Sequence, residues 1–370
     1  MATIDVLLPV RNGLPFLAEA IDSIRTQTWR DWRLLLLDHG STDGSLELAQ
    51  TYQARDRRIE VHALPGADGL CSLLNAGLAL CDCDYVMRHD ADDIAFPKRM
   101  EVTLDAFRQH AGCVAIGGQA MLIDGAGRHI GRRLAPVDQA RLTPAMLFRN
   151  PITHPSVSLS YAVMQREGIR YGSDFLGCLP MAQRPQVQGL AEDYLLFGQL
   201  ALQGRFRNID ALLIGYRWHG GNMSSARFEE TMRLSLRISR YLAACVAVMR
   251  KVPGFDPAPF CNHGGQLFDV GAATALDAQF AHMQRSLLAG LGDSAGLRRE
   301  LAFRQVTAAR AIPSLLGRYL RFRTRHSPET DEWNTVRAWI AHRIRRREVL
   351  RVDVTPDMTY PLIQGSDGTL

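Results

Sequence analysis

The residues His89-Asp90-Ala91-Asp92-Asp93 concentrate carboxylates directly behind a short apolar run, Tyr85 to Arg88. If the chain stays extended for two residues, Asp90 and Asp92 point the same way, because side chains alternate with period two. Two carboxylates on one face at a strand end can hold a hard divalent cation, with magnesium or manganese shared between them and substrate phosphate oxygens. The same stretch also reads as a solvated acidic loop that caps the helix after Pro97. Much later in the chain, Glu192-Asp193 opens an apolar-periodic helix. The positive end of the helix macrodipole favours an ionised carboxylate there, and an Asp so held can take the proton of a hydroxyl. An acidic first turn with no further role is the alternative. A third segment ends in Tyr216-Arg217-Trp218-His219. His219 can complete a metal shell and Arg217 can meet a phosphate with paired N–H donors, or both are ordinary turn residues.

The elements that must position these groups are legible as alternating apolar runs and helical periodicities. Ile4 to Val10 reads as a buried strand, Phe16 to Ile24 as a helix, and Leu34 to Leu37 as a second strand closed by Asp38, Gly40 and Ser41. The pattern repeats: a helix at Ser45 to Tyr52, a strand at Ile59 to Ala63, a helix at Leu70 to Leu80 and a strand at Tyr85 to Arg88. Such alternation predicts an α/β fold, a mostly parallel Rossmann-like sheet with helices on both faces. Ligands of such sheets sit beyond the carboxyl ends of the strands, where Asp38 and the Asp90–Asp93 cluster fall. Pro97 to His110 is expected to be helical, Val114 to Gly117 a strand and Asp124 to Gly127 a turn. A loop-rich stretch runs through Asn150-Pro151, and Gly172 to Gly189, rich in Gly, Pro and Gln, reads as a mobile loop or a linker. Glu192 to Leu202 is expected to be a helix and Ala211 to Trp218 a strand. After Ser225 the pattern becomes mainly helical, so the division expected is residues 1–225 and 226–370.

At 370 residues and 46% hydrophobic content, the chain can bury a full core, which excludes global disorder. Its net charge of +5 is uneven, −2 over residues 1–225 and +7 over 226–370. Seven cysteines without a CxxC pair or a zinc-like spacing suit a reduced, cytoplasmic setting. The N-terminus shows no secretory signal, and no run of 18 apolar residues predicts a membrane-spanning helix. Any membrane contact is therefore expected to be peripheral, at the inner face.

The segment LLPVRNGLPFLAEAIDSIRTQTWRDWRLLLLDHGSTDGS, Leu7 to Ser45, resembles the nucleotide-binding start of glycosyltransferase family 2, the inverting family with the GT-A fold. YVMRHDADDIAFPKRM, Tyr85 to Met100, is similar to its metal-binding segment, AEDYLLFGQLALQG, Ala191 to Gly204, to its catalytic-base helix, and YRWHGGNMS, Tyr216 to Ser224, to its closing strand and turn. Four motifs in order, over about residues 3 to 225, carry the resemblance. It implies that Pro9, Val10 and Asn12 line a nucleotide pocket with Asp38 near the base, and that Asn75 lies near the sugar nucleotide. Asp90 would meet ribose or metal, Asp92 the metal, and His219 would be a further ligand. Asp193 would be the general base with Glu192 beside it. The reaction implied is transfer of a sugar from a nucleotide diphosphate sugar to a saccharide or lipid-linked acceptor, with Mn2+ or Mg2+, in cell-surface polysaccharide or glycoconjugate synthesis. The chain departs from the pattern where His39 follows Asp38 and where the Tyr171 to Glu192 stretch is long.

Beyond Ser225, Met232, Leu236, Ile238, Leu242 and Val246 interleave with Arg233, Arg237 and Arg240, and Arg337 to Arg351 interleaves arginines with Trp339, Ile340 and Ile344. Basic amphipathic helices can lie on anionic membranes; a packed appendage with a solvated arginine face, or a homodimer contact, accounts for the same pattern. A catalytically silent sugar-nucleotide-binding or scaffolding protein of the same fold is the rival reading. No nucleic-acid partner is expected, because no base-reading motif accompanies the arginines. A nucleotidyltransferase would want a Gly-rich phosphate loop after the first strand, which Pro9-Val10-Arg11-Asn12-Gly13 is not.

Overall fold

The computed structural model describes residues 3–219, 227–261, 276–309 and 311–344. The boundary expected between residues 225 and 226, the 220–224 part of the closing turn and the 345–351 part of the second basic segment lie outside them. The described residues of 1–137, 152–175 and 186–226 form one compact unit, and those of 138–151, 176–185 and 227–370 form another.

The first unit is built on one sheet. Its strands are β1 (Ile4–Val10), β2 (Trp32–Asp38), β3 (Ile59–Ala63), β4 (Tyr85–Arg88), β5 (Ile94–Ala95), β6 (Ala115–Ile123), β7 (His129–Arg133), β8 (Ser158–Ser160) and β9 (Phe206–Arg217). They lie in the order β3-β2-β1-β4-β8-β6-β9-β5, with β7 paired to β6. The pairs β3·β2, β2·β1 and β1·β4 are parallel, and so is β6·β9. The strand β8 runs antiparallel to both β4 and β6, and β5 to β9, so the sheet is mixed past β4. All seven residues of β1 are buried, as a central strand covered on both faces requires.

The helices α1 (Leu14–Arg25), α2 (Ser45–Arg55), α3 (Gly69–Ala79), α4 (Arg99–Gln109), α6 (Tyr161–Glu167) and α7 (Glu192–Leu202) cover this sheet, while α5 (Gln139–Ala145) belongs to the other unit. Leu17, Ala20, Ile21 and Ile24 of α1 pack with Val6, Leu8, Leu34 and Leu36 into one core cluster that also takes in Met87 and Met100. On α3 the approach is closer still. A Cβ on Gly77 would stand 2.4 Å from Leu37 Cδ1, so only glycine lets this helix settle at its present depth.

The second unit is helical, with Phe228–Arg250, Leu276–Leu291, Ala295–Thr307, Ile312–Arg323 and Thr330–Ile344. Phe303, Val306, Leu315, Tyr319, Phe322, Val336 and Trp339 form a hydrophobic core cluster in it, so Trp339 is core rather than surface. The helix Phe228–Arg250 exposes Arg233 and Arg237 but buries Arg240 against Asp256 at 3.0 Å. Arg141, 3% exposed, reaches Glu300 at 3.3 Å, Glu332 at 3.0 Å and Asp331 at 3.3 Å, and also meets Glu329. Arg304 closes the network on Glu300 at 2.7 Å. Among the described residues, no helix is long and apolar enough to cross a membrane.

Candidate functional site

The acidic cluster forms where β4 ends. His89 N–H donates to Leu7 O at 3.0 Å, which continues the β1 pairing for one residue. The chain then turns, Asp93 N–H reaching Asp90 O at 3.3 Å. This is a turn and not the extended pair that alternation predicts. Its consequence is that three carboxylates gather instead of two: ligand atoms of Asp90, Asp92 and Asp93 lie within 4.8 Å of one another. Asp93, the member that sequence spacing left out, is 1% exposed and accepts from Arg217 N–H at 2.8 Å. Burial, then Asp90 and Asp92, push its carboxyl well above the usual range, and its Oδ2 is buried with no hydrogen-bond partner among the described residues. A divalent cation would offset the crowding and use that oxygen, and an all-carboxylate set suits a hard ion such as Mg2+ or Mn2+. The donor set therefore fits the metal that the sequence suggests.

Asp90 and Asp92 meet side-chain nitrogens. Asp92 Oδ2 lies 2.9 Å from His219 Nε2, so the strand β9 delivers His219 to the cluster. The imidazole is a quarter exposed and packs on Phe16, ring centroids 5.1 Å apart. Asp90 is paired with the guanidinium of Arg88, a buried side chain. Arg99 supports this pair from below, donating to Arg88 O at 2.7 Å.

Arg217 behaves differently from the expectation of a phosphate ligand. Its side chain is 1% exposed, donates through Nε to Asp92 O at 2.8 Å and through Nη1 to Gly125 O at 3.2 Å, and pairs with Glu19. It lies over the Phe16 ring, 4.6 Å from the centroid. The guanidinium is thus occupied in fixing the acidic turn against β9, because a buried arginine fork must find carbonyl and carboxylate partners.

The helix α7 starts from Ala191, which holds the left-handed conformation at φ 53°. Glu192 is 4% exposed, and burial raises its carboxyl pKa, with Arg88 pulling it down and Asp90 pushing it up. Burial also raises Asp193, as does Glu192, against the lowering effects of the Tyr194 N–H that donates to Oδ1 at 2.7 Å and of Arg133. His154 sits beside this pair, Nδ1 3.4 Å from Glu192 Oε1 and Nε2 3.2 Å from the Tyr171 hydroxyl. Burial first and Arg88 second lower its pKa to about 4, so the imidazole is neutral at pH 7 and its contact with Glu192 is a polar one rather than an ion pair. Arg88 therefore pairs with Asp90 on one side, while its charge acts on Glu192, His154 and Tyr171 on the other. The acidic cluster and the first residues of α7 thus share the field of one buried guanidinium.

The expected nucleotide-pocket residues lie at the carboxyl ends of β1 and β2. Pro9 and Val10 are buried in register with Leu37 and Asp38. Asn12, exposed and left-handed at φ 55°, accepts Thr42 N–H at 2.8 Å and donates its N–H to Ser41 Oγ at 3.0 Å. It latches the loop after β1 to the loop after β2. Asp38 is 1% exposed and accepts Gly40 N–H at 3.0 Å and Ser41 N–H at 3.2 Å, which makes it a brace for that loop. Asn75 exchanges hydrogen bonds with the Tyr171 backbone, 3.0 and 3.1 Å, and so anchors the segment that carries Tyr171 to α3. Asp93, Arg88, His154 and Tyr171 were not singled out by sequence reasoning. The adjacency of Asp93 to Asp92 was the one available signal, since the others act through partners distant in the chain.

Residues 5–171 match the family profile described as glycosyl transferase family 2. An uncharacterized glycosyltransferase of Haemophilus influenzae is 25% identical over 245 residues, 64% of this chain and 72% of that protein. The Bacillus subtilis glycosyltransferase EpsE is 33% identical over 134 residues, 36% of this chain and 48% of that one. S. aureus TarS 1-349, solved in complex with UDP-GlcNAc, aligns with a TM-score of 0.51 at 15% identity, covering 96% of this chain and 95% of that one. A further S. aureus TarS structure aligns at 0.50, covering 88% of this chain and 55% of that one. At these identities the solved structures speak for the fold, which is of the GT-A type.

Proposed function

Residues 5–171 belong to glycosyl transferase family 2, which makes the chain a glycosyltransferase, and from that premise we propose an inverting, cation-assisted transfer with Asp193 as general base. The donor is a nucleotide diphosphate sugar and the acceptor a hydroxyl of a saccharide or lipid-linked glycan, in polysaccharide or glycoconjugate synthesis. Asp90, Asp92, Asp93 and His219 would hold Mn2+ or Mg2+. When bound, the ion offsets the negative charge that builds on the departing diphosphate. The chain's own residues do the rest. Arg217 and Arg88 fix the acidic turn, and Pro9, Val10 and Asn12 shape the loop where the nucleotide would rest. Asp193, adjacent to Glu192 and raised in pKa, accepts the acceptor's hydroxyl proton. The acceptor oxygen forms a bond to the anomeric carbon as the bond from that carbon to the diphosphate oxygen breaks. One displacement inverts the centre and needs no enzyme nucleophile.

The observation that supports this reading is the gathering of Asp90, Asp92 and Asp93, ligand atoms within 4.8 Å of one another, with His219 Nε2 2.9 Å from Asp92. All of the assigned chemistry falls within residues 1–225, and residues 226–370 bear none of it. Cytoplasmic placement, with peripheral contact of the basic helices to the inner face of a membrane, is part of the same proposal. The test is calorimetric titration with UDP, GDP and dTDP sugars, with and without Mn2+, on the parent, Asp92→Asn and Asp193→Asn. Asp92→Asn is expected to weaken cation-dependent donor binding, and Asp193→Asn to keep donor binding and abolish transfer. Equal loss of donor affinity in both would refute the separation of roles, and donor binding without turnover in the parent would favour a silent scaffold.

A further inference from the structure

The side-chain nitrogen partners of Asp92 and Asp90, His219 and Arg88, are chemically unlike. His219 is itself a metal-type ligand, so an ion can enter between its imidazole and Asp92 while both stay in place. Arg88 has no such option: a guanidinium carries five N–H donors, no acceptor, and a charge it does not lose. It meets Asp90 at Oδ1, so a cation that reaches this carboxylate must displace the guanidinium or bind beside a like charge.

The setting of Arg88 makes that exchange consequential. Its side chain is 4% exposed, one N–H turns back to His89 O, and its Nε is buried with no partner among the described residues. The one carboxylate it contacts there is Asp90. Behind it stands a second buried cation, Arg99, which donates to the Arg88 carbonyl at 2.7 Å and faces His89 Nδ1 at 3.3 Å. A buried charge is tolerated when it is paired. In front lie the side chains of Glu192, His154 and Tyr171, all of which feel the Arg88 charge.

We propose that Arg88 is a resident counter-ion of the cation site, which neutralises Asp90 while no divalent ion is bound and competes with the ion for that carboxylate. This rests on the reading that the Asp90–Asp93 turn holds Mn2+ or Mg2+. A corollary follows from linkage. An anionic diphosphate gives the displaced guanidinium a new partner, so the cation and the nucleotide bind more tightly together than apart, and Arg88 carries part of that coupling.

The experiment titrates MnCl2 into the full chain, in one arm alone and in the other with UDP present, followed by calorimetry and by the electron paramagnetic resonance signal of free Mn2+. The proteins are the parent, Arg88→Met, Arg88→Gln, Arg88→Lys and Asp92→Asn. Arg88→Met is expected to bind Mn2+ about tenfold tighter than the parent, in the ordinary range of site coupling, and to lose most of the further tightening that UDP gives the parent. Arg88→Lys, which keeps the charge, should stay close to the parent. Arg88→Gln preserves hydrogen bonding to Asp90 without charge and serves if the methionine variant fails to fold; it too should bind more tightly. Unchanged or weaker Mn2+ binding in the folded neutral variants overturns the proposal while leaving the cation site intact, provided Asp92→Asn still abolishes binding. If the parent binds no Mn2+ in either arm, or Asp92→Asn binds as the parent does, the cation reading fails and the proposal falls with it.

Discussion

Asp193 is where the chemistry proposed here is most exposed to test. Replacing it with Asn keeps shape and removes the proton acceptor, and a positioned general base contributes about 10²–10⁴-fold. Asp193→Asn is therefore expected to lower kcat by that order with the donor Kd within about threefold, measured by coupled release of nucleotide diphosphate and by titration. The pH dependence has a definite sign. Burial and Glu192 raise the Asp193 pKa, so its protonated, inactive form persists to higher pH than for an ordinary aspartate. The acid limb of kcat should lie above the usual aspartate range, the rate falling as pH drops through the raised value; a limb inside the usual range would contradict the burial argument. Asp90, Asp92, Glu192, Asp193 and His219 are legible in sequence because each closes or opens an element whose periodicity is plain. Arg88 and His154 are not, since their meaning lies in partners, Asp90 across a turn and Glu192 on α7, that only the folded chain supplies.

At the scale of elements, the left-handed residue before α7 concentrates cost at the point where the base is presented. A non-glycine residue there pays roughly 1 kcal/mol in crowding between its Cβ and the next carbonyl. Ala191→Gly is expected to raise unfolding free energy by up to about 1 kcal/mol, reduced by the greater unfolded-state freedom of glycine, in urea titration. Lower stability in the variant would mean that the methyl group makes contacts worth more than the strain. The long strands and helices, β1, β2, α1, α4 and α7, are readable from continuous apolar runs and helical spacing. The short pieces β5, β7, β8 and α6 are not. β5 and β8, of two and three residues, hold too little pattern to register and exist because β9, β4 and β6 offer them an edge or a gap, while β7 is polar and mostly exposed, with no apolar run to mark it. The same limit explains the acidic turn: the spacing of Asp90 and Asp92 is visible in sequence, whereas the hydrogen bond that folds Asp93 in beside them is not.

At the scale of the whole molecule, the helical unit recruits two segments, residues 138–151 and 176–185, from the middle of the chain. Arg141 is buried among Glu300, Asp331 and Glu332, and removing the acidic partners of a buried arginine costs about 3–5 kcal/mol. A chain cut after Ser225 keeps every residue of the proposed site yet strips Arg141 of all of these. Such a fragment is expected to aggregate or to unfold well below the full chain, by size-exclusion chromatography and thermal melting. A monomeric fragment with the full chain's Tm would show that the arginine is satisfied without them.

The separation of Arg141 from Glu300, 159 residues, also has a meaning in time. At about 5–20 residues per second, a ribosome takes roughly ten to thirty seconds to make the intervening polypeptide. For that interval the arginine has emerged and its carboxylate has not, so helices synthesised later decide when an early segment can leave water, and the nascent chain must be kept from other partners until they arrive.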